Sequence, residues 1–421
     1  MARESEQAIE HLFRKEYGKL VSVVTHFFGP SYIQLAEDVV QETLISALSN
    51  WSTQGIPENP QAWLFQVAKR KVLNEIERGK MMQRHEGQLL SATYDDIDLE
   101  VVFLDDEIQD SQLRMIFTCC HALLDTKSQI ALTLKTLCGF GVKEVARALL
   151  SSESSINKSL YRAREKIRNS QTPFDIPQGE ELNKKLEAVS LTMYLLFNEG
   201  YNSSVGDSVI KKELCWEAMR LTKLLVDHFQ DNKNLLALLA LMSLHAARFE
   251  ARIDNRGAIV LFEDQDRSLW NKELINVGMH HFNRSLNAGQ LSAYHIEARI
   301  AAEHCLSTSF ESTHWQLIYD QYLLLQQLKP NPVIELNLAI IQSQIGSIES
   351  SLSQLEKLSQ RQSLRDYHLL SVTQGVFNMK LRNYEQALSY FRQSLKQKPS
   401  KKEVMFIMNK MDECEKLLPK H

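Results

Sequence analysis

Residues 142–160 read VKEVARALLSSESSINKSL, a stretch with the apolar spacing of two short helices joined by a tight turn. Val145 and Leu149 would form the inner face of the first helix, and Ile156 and Leu160 that of the second. This spacing predicts a helix-turn-helix. A short helical hairpin with no role in DNA binding has the same pattern and remains the structural alternative.

The second helix of this hairpin begins with polar residues. Ser151 or Ser152 can cap it, and the side chains that we expect to face outward are Ser154, Ser155, Asn157, Lys158, Tyr161 and Arg162. Hydroxyls and amides suit DNA phosphates, while longer donors reach base edges in the major groove. Leu150 stands at the turn where glycine is usual, and a leucine with positive φ is uncommon, which leaves open a turn of different construction.

Two amphipathic helices are predicted in the first 85 residues. The apolar stripe of the first consists of Ala36, Val39, Val40, Thr43, Leu44, Ala47 and Leu48. Another face of this helix, near its start, carries Glu37, Asp38, Gln41 and Glu42. The second helix, over residues 61–78, presents an outer face of donors suited to phosphates or base edges: Lys69, Arg70, Asn74 and Arg78.

The net charge of the chain, −4, does not indicate a nucleic-acid binder, but the distribution of charge along the chain is informative. Nine acidic residues and no lysine or arginine lie between Glu86 and Asp110, whereas the segments on either side are basic. Two basic blocks joined by an acidic tether can lie on one polyanion. A solvated linker between unrelated helical domains would give the same pattern.

Three segments together resemble a known family. Residues 36–42 (AEDVVQE) followed by residues 59–70 (NPQAWLFQVAKR) resemble region 2 of the extracytoplasmic-function group of bacterial RNA polymerase sigma factors. The helix-turn-helix, with residues 114–121 (RMIFTCCH) and 161–168 (YRAREKIR), resembles region 4 of the subgroup with a long C-terminal extension. The resemblance implies a sigma factor that binds core RNA polymerase and directs promoter-specific initiation.

The resemblance also implies residue roles. Glu37, Asp38, Gln41 and Glu42 would dock on the β′ clamp helices, and region 4 would dock on the β flap. The −10 promoter element would be contacted by Trp63, Lys69, Arg70, Asn74 and Arg78. The −35 element would be contacted by Ser154, Ser155, Asn157, Lys158, Tyr161 and Arg162. In such factors the acidic linker threads toward the RNA exit path of the polymerase.

An all-α chain with four parts is therefore expected: region 2 at 1–85, an acidic linker at 86–109, region 4 at 110–170 and a helical C-terminal domain at 171–421. Prolines and glycine between residues 169 and 179 separate the last two parts. Within the C-terminal domain the spacing of a tetratricopeptide repeat is found at Gly375, Tyr384, Ala387, Phe391 and Pro399. We expect a regulatory role there, through docking of a soluble protein or in cis.

Other function classes find no support. The sequence has no phosphate-cradling glycine loop, nucleophile elbow or zinc motif, so we expect no enzyme, cofactor or metal. Cys119 and Cys120 are expected in a packed core, and an Asp–Arg pair with Trp270 is expected to fix the loop at 261–270. No membrane or signal segment is predicted, which favours the cytoplasm. The alternatives are a helix-turn-helix regulator that does not join polymerase, and a helical-repeat adaptor without a DNA role.

Overall fold

A computed structural model describes residues 2–86, 104–171, 173–201, 208–254, 259–286, 291–362, 364, 367–397, 399 and 401–418. Over these residues the regular elements are helical, which confirms the all-α prediction, and one isolated antiparallel bridge joins Ile253 and Ile259. None of the described helices is long and apolar enough to span a membrane. The chain divides into two compact units, one of residues 1–200 and 209–225, the other of residues 201–208 and 226–421.

The helices that form the first unit are α1 Ala2–Phe28, α2 Ile33–Gln54, α3 Pro60–Glu86, α4 Asp105–Cys119, α5 Thr126–Thr136, α6 Val142–Ala148, α7 Glu153–Ser170, α8 Gly179–Tyr201 and α9 Ser208–His228. Most of the predicted linker, residues 87–103, lies outside the described residues. Its predicted end at residue 109 differs from the structure, because α4 already begins at Asp105. Three acidic residues in the first turn of α4 favour this start, since carboxylates stabilise the positive end of a helix dipole.

Side-chain caps fix the starts of several helices in this unit. Asn59 Oδ1 accepts the Ala62 amide at 3.0 Å, and Asp125 Oδ1 accepts the Ser128 amide at 3.0 Å. Ser152 Oγ accepts the Ser155 amide at 3.2 Å, which confirms one of the two residues predicted to cap the second helix of the hairpin. Each cap of this kind stabilises its helix by about 1 kcal/mol.

The apolar stripe predicted for α2 is buried over most of its length. Ala36, Val40 and Ala47 have no exposed surface. Leu48, however, is 52% exposed, so its place in the stripe was wrong. The reason is geometric: at 3.6 residues per turn, position 48 points roughly 120° away from position 36. Trp51, only 6% exposed, continues the buried face instead.

The helices that follow in the second unit are α10 Lys233–Ala246, α11 Lys272–Ser285, α12 Ala293–Leu306, α13 Trp315–Leu328, α14 Pro332–Ile345, α15 Ile348–Ser359, α16 His368–Lys380, α17 Tyr384–Lys396 and α18 Lys401–Leu417. Each of them packs against the next one along the chain. Every residue of α10 from Leu235 to Leu244 is buried, so this helix lies in the core of the unit. The C-terminal region is therefore helical, as predicted.

Close packing between α16 and α17 depends on a glycine. A Cβ atom at Gly375 would lie 2.5 Å from the Phe391 ring, so only glycine allows the two helices to approach this closely. Phe391 and Ala387 are fully buried beneath this contact. One such helical pair cannot bury both of its faces, and the neighbouring helices α15 and α18 cover what remains.

Candidate nucleic-acid interface

The first turns of α7 carry an exposed polar face. The side chains that the sequence predicts for the −35 element are all exposed: Ser154, Ser155, Asn157, Lys158, Tyr161 and Arg162. On the opposite face Ile156 and Leu160 are buried, which holds the helix against its own domain. A helix start of this kind offers backbone amides, hydroxyls and long cationic donors to DNA phosphates and base edges.

The turn before this helix is built on Leu150. This residue has a φ of +47°, the left-handed conformation that glycine usually supplies. The Ser151 amide donates to the Ala146 carbonyl at 2.8 Å, which closes the end of α6. Leu150 is 68% exposed, so the turn does not bury an apolar group.

A second polar face runs along α3. Arg70, Asn74 and Arg78 are exposed at intervals of four residues, and Arg78 pairs with Glu75 at 2.9 Å. Lys69 and Trp63 are half-buried, and the Trp63 ring meets the Trp51 ring edge to face with centroids 5.5 Å apart. The five residues predicted for the −10 element therefore include three on an open basic stripe and two at its margin.

The acidic face of α2 is exposed only in part. Asp38, Gln41 and Glu42 are exposed, and Glu42 pairs with Lys71 of α3 at 3.2 Å. Glu37 is only 1% exposed, so the expectation that it projects outward was wrong. Its side chain lies beneath residues of the helix-turn-helix half of the unit.

The Glu37 carboxylate contacts two side chains, one on α7 and one on α5. Its Oε2 atom lies 2.5 Å from Nη2 of Arg164 on α7, and its Oε1 atom accepts the hydroxyl of Thr136 on α5 at 3.1 Å. Burial raises the pKa of the Glu37 carboxyl above its ordinary value, while Arg164, Lys135 and the Thr136 hydroxyl act in the opposite direction. A buried carboxylate is tolerated because a guanidinium and a hydroxyl replace the lost water.

Further contacts join the two halves of the first unit. Arg14 of α1 pairs with Glu144 of α6 at 2.7 Å, and His26 Nδ1 lies 3.1 Å from the Ser111 hydroxyl of α4. Gly18 permits the closest approach, because a Cβ there would lie 2.0 Å from the Leu137 carbonyl oxygen. The two predicted DNA-binding surfaces thus belong to one packed body.

Sequence reasoning missed the roles of Arg164 and Gly18. Arg164 is one cation among several in a basic segment, and nothing local marks it as the partner of a residue 127 positions away. Gly18 did carry a signal, since an isolated glycine inside a helical pattern usually has a packing reason.

The adjacent cysteines lie in the protein core, as predicted. Cys119 is 0% and Cys120 is 4% exposed, and burial raises the pKa of the Cys120 thiol to about 12. Across the described part of the chain no group of three His, Cys, Asp or Glu side chains is placed to hold a metal ion. The arrangement is that of apolar packing.

Comparison with known proteins gives matches along much of the chain. Residues 12–81 match Sigma-70 region 2, residues 114–167 match Sigma-70 region 4, and residues 185–286 match a family of unknown function, DUF6596. An uncharacterized protein of Rhizobium meliloti (strain 1021) is 34% identical over 333 residues, 79% of each chain. The RNA polymerase sigma factor YlaC of Bacillus subtilis (strain 168) is 26% identical over 172 residues, 39% of this chain and 92% of that protein.

Regions 2 and 4, in this order on one helical chain, define a DNA-binding factor for transcription initiation, whose partners are core RNA polymerase and promoter DNA. These two regions, together with the similarity to YlaC, support a sigma-70 family factor.

Proposed function

We propose that the chain is a sigma factor of the extracytoplasmic-function type that reads both promoter elements. The exposed start of α7 would bind the −35 element through Lys158 and Arg162, and the stripe on α3 would bind the −10 element through Arg70 and Arg78. The observation that carries this proposal is the exposed polar face of α7, held in a helix-turn-helix by Ile156 and Leu160.

The polymerase dock is assigned to α2. Asp38, Gln41 and Glu42 are exposed and would meet the β′ clamp helices, while region 4 would meet the β flap. Glu37 would join this dock only after it leaves Arg164, because in the packed unit its carboxylate is covered. We therefore infer that binding to core polymerase separates region 2 from region 4.

The C-terminal unit would regulate this step. Its helices pack in sequence, and the Gly375–Phe391 contact has the residue spacing of a tetratricopeptide repeat. Stacked helical pairs present extended surfaces to other proteins, so a soluble regulatory protein is the proposed partner.

Size-exclusion chromatography of the full-length chain with bacterial core polymerase tests the assignment. A complex that elutes with core polymerase, and that Glu42→Lys together with Asp38→Lys weakens, supports the sigma role. Specific DNA binding by the free chain without any association with core polymerase would instead identify a separate helix-turn-helix regulator.

A further inference from the structure

Three arginines of the second unit lie over three aromatic rings. The Arg248 guanidinium lies 4.3 Å from the Phe262 ring centroid, and the Arg267 guanidinium lies 4.6 Å from that of Trp270. Arg252 stacks on Tyr201 at 3.8 Å and its charge acts on Arg248. Because the charges of these arginines act on one another, an anion placed between them would be stabilised.

Arg248 has a neutral hydrogen-bond partner. It is 8% exposed, and both its Nε and its Nη2 atoms donate to the side-chain oxygen of Gln265, at 3.2 and 3.1 Å. Burial lowers the pKa of Arg248, Tyr201 and Cys305 oppose this shift, and the Arg252 charge adds to it. Ring faces and an amide compensate only part of the hydration that a buried guanidinium loses.

Two buried donors beside it have no acceptor among the described residues. These are Nη2 of Arg267 and Nε1 of Trp270, a side chain that is only 5% exposed. Arg267 uses Nη1 on the carbonyl oxygens of His304 and Ser307, which fixes the guanidinium over the Trp270 ring. Buried donors are rarely left without acceptors, so these two indicate a missing partner.

The acidic side chains of the same loop do not supply that partner. Asp266 is exposed and accepts the Ser268 amide, so the Asp–Arg pair expected from the sequence does not fix this loop. Glu263 pairs with Lys380 at 2.6 Å. Asp264 is exposed, and so is Glu311, the carboxylate whose charge acts on Arg267.

The neighbouring histidine does not add a positive charge at neutral pH. The His304 ring packs against the Phe262 ring at an angle of 56°, with centroids 4.4 Å apart. Burial together with the Arg248 and Arg267 charges lowers the pKa of His304 to about 3. The cluster therefore has fixed cationic donors on rigid aromatic supports.

We propose that this cluster binds a tetrahedral oxyanion, the phosphate group of a phosphorylated small molecule, between Arg248, Arg267 and Trp270. The paired Nε/Nη2 edge of Arg248, which suits a planar carboxylate, is already occupied by Gln265. The remaining donors come from separate side chains, which suits an anion with several oxygen atoms. Arg267 is half-buried, so the site reaches the surface beside it.

Isothermal titration of the full-length protein with inorganic phosphate, at constant ionic strength in chloride, tests the site. Trp270→Phe keeps a ring and removes the donor, and Arg267→Gln removes the second donor with its charge. Each should weaken phosphate binding by about tenfold, since a hydrogen bond to a charged group contributes about that factor. Thermal unfolding without phosphate verifies that each variant is folded.

Two controls locate the binding. Lys357→Gln removes an exposed cation of α15, in the same unit but outside the cluster, and Lys158→Ala with Arg162→Ala removes cations from the exposed face of α7. Both should bind phosphate like the unchanged protein. Sulfate should compete, and acetate should not. The proposal is overturned if phosphate does not bind, if it binds Trp270→Phe and Arg267→Gln as well as the unchanged protein, or if acetate competes equally.

Discussion

The carboxylate of Glu37 on α2 lies 2.5 Å from the guanidinium of Arg164 on α7, and the two residues are 127 positions apart in the chain. Glu37 is 1% exposed, and Arg164 is partly exposed. The resemblance to sigma region 2 assigns Glu37 to the polymerase dock. The ion pair with Arg164 thus covers Glu37, a residue that the proposed polymerase dock needs. The free protein and its complex with polymerase would therefore differ at the Glu37–Arg164 contact.

Arg164→Ala should strengthen binding to core polymerase several-fold. The free energy of unfolding should fall by about 2 kcal/mol, less than the roughly 3–5 kcal/mol of a fully buried pair, because Arg164 is partly solvated. Urea denaturation and a binding titration with labelled core polymerase measure the two effects. Arg168→Ala is the matched control, since Arg168 is exposed on the same helix and pairs with Glu165. Equal polymerase affinity in both variants would contradict the inferred separation of the two regions.

Gly18→Ala should loosen the same packed unit without a change in charge. In an unconstrained helix alanine is more stable than glycine by about 1 kcal/mol, but here the added Cβ would lie 2.0 Å from the Leu137 carbonyl oxygen. Hydrogen exchange should therefore become faster in α1 and around residue 137. Lys15→Ala, at an exposed position of α1, should leave the exchange unchanged. Slower exchange in Gly18→Ala would exclude the close contact.

Lys158→Ala with Arg162→Ala should lower the salt dependence of promoter binding. Each phosphate contact that is removed reduces the slope of log K for promoter binding against log salt concentration by about 0.9. Loss of both side chains should therefore reduce the slope by about 2. Holoenzyme binding to promoter DNA over a series of KCl concentrations gives the slope. Lys166→Ala is the control, because Lys166 donates to the Leu123 carbonyl. An unchanged slope in the double variant would remove α7 from the DNA interface.

His26 should make the first unit less stable in acid. Burial lowers its pKa, the Arg114 charge lowers it further, and Glu107 and Asp110 oppose this shift. The unfolded chain therefore binds the His26 proton more tightly, and stability that is present above the unfolded pKa of about 6.5 is lost as the pH falls below it.

His26→Gln can keep the hydrogen bond to Ser111 and should flatten the stability profile between about pH 7 and pH 5. Lys15→Arg, a charge-conserving change at an exposed position of the same helix, should leave the profile as it is. Urea denaturation at a series of pH values gives both profiles, and parallel profiles for His26→Gln and the unchanged protein would rule out this origin of acid sensitivity.

Gly375→Ala should destabilise the second unit by about 1–3 kcal/mol, because the added methyl group meets the Phe391 ring. Thr373→Ala, which removes a hydroxyl bonded within the same helix, is the control. Chemical denaturation followed by circular dichroism compares the two. A Gly375→Ala variant as stable as the unchanged protein would show that α16 and α17 are not closely packed at this point.

Local patterns in the sequence predict much of this structure. Apolar spacing places Ile156 and Leu160 in the core of the helix-turn-helix. A hydroxyl before a helical run predicts Ser151 or Ser152 as the cap, and the structure uses Ser152. Both depend on neighbours within a few residues, which the sequence specifies directly.

Contacts between distant segments could not be predicted in the same way. Glu37 follows Ala36 on the edge of a buried stripe, and only the packing of α5 and α7 decides that it is covered. At the loop before α11 the sequence suggested an Asp–Arg pair, whereas Arg267 donates to backbone carbonyls brought from residues 304 and 307. Such partners depend on tertiary packing, which local charge patterns do not encode.

Run-off transcription with core polymerase and the full-length chain, on fragmented DNA of the genome that encodes it, tests the sigma assignment most directly. We predict transcripts with defined 5′ ends that require the chain and that are lost with Lys158→Ala and Arg162→Ala. If the transcripts were identical to those of core polymerase alone, the sigma assignment would be contradicted.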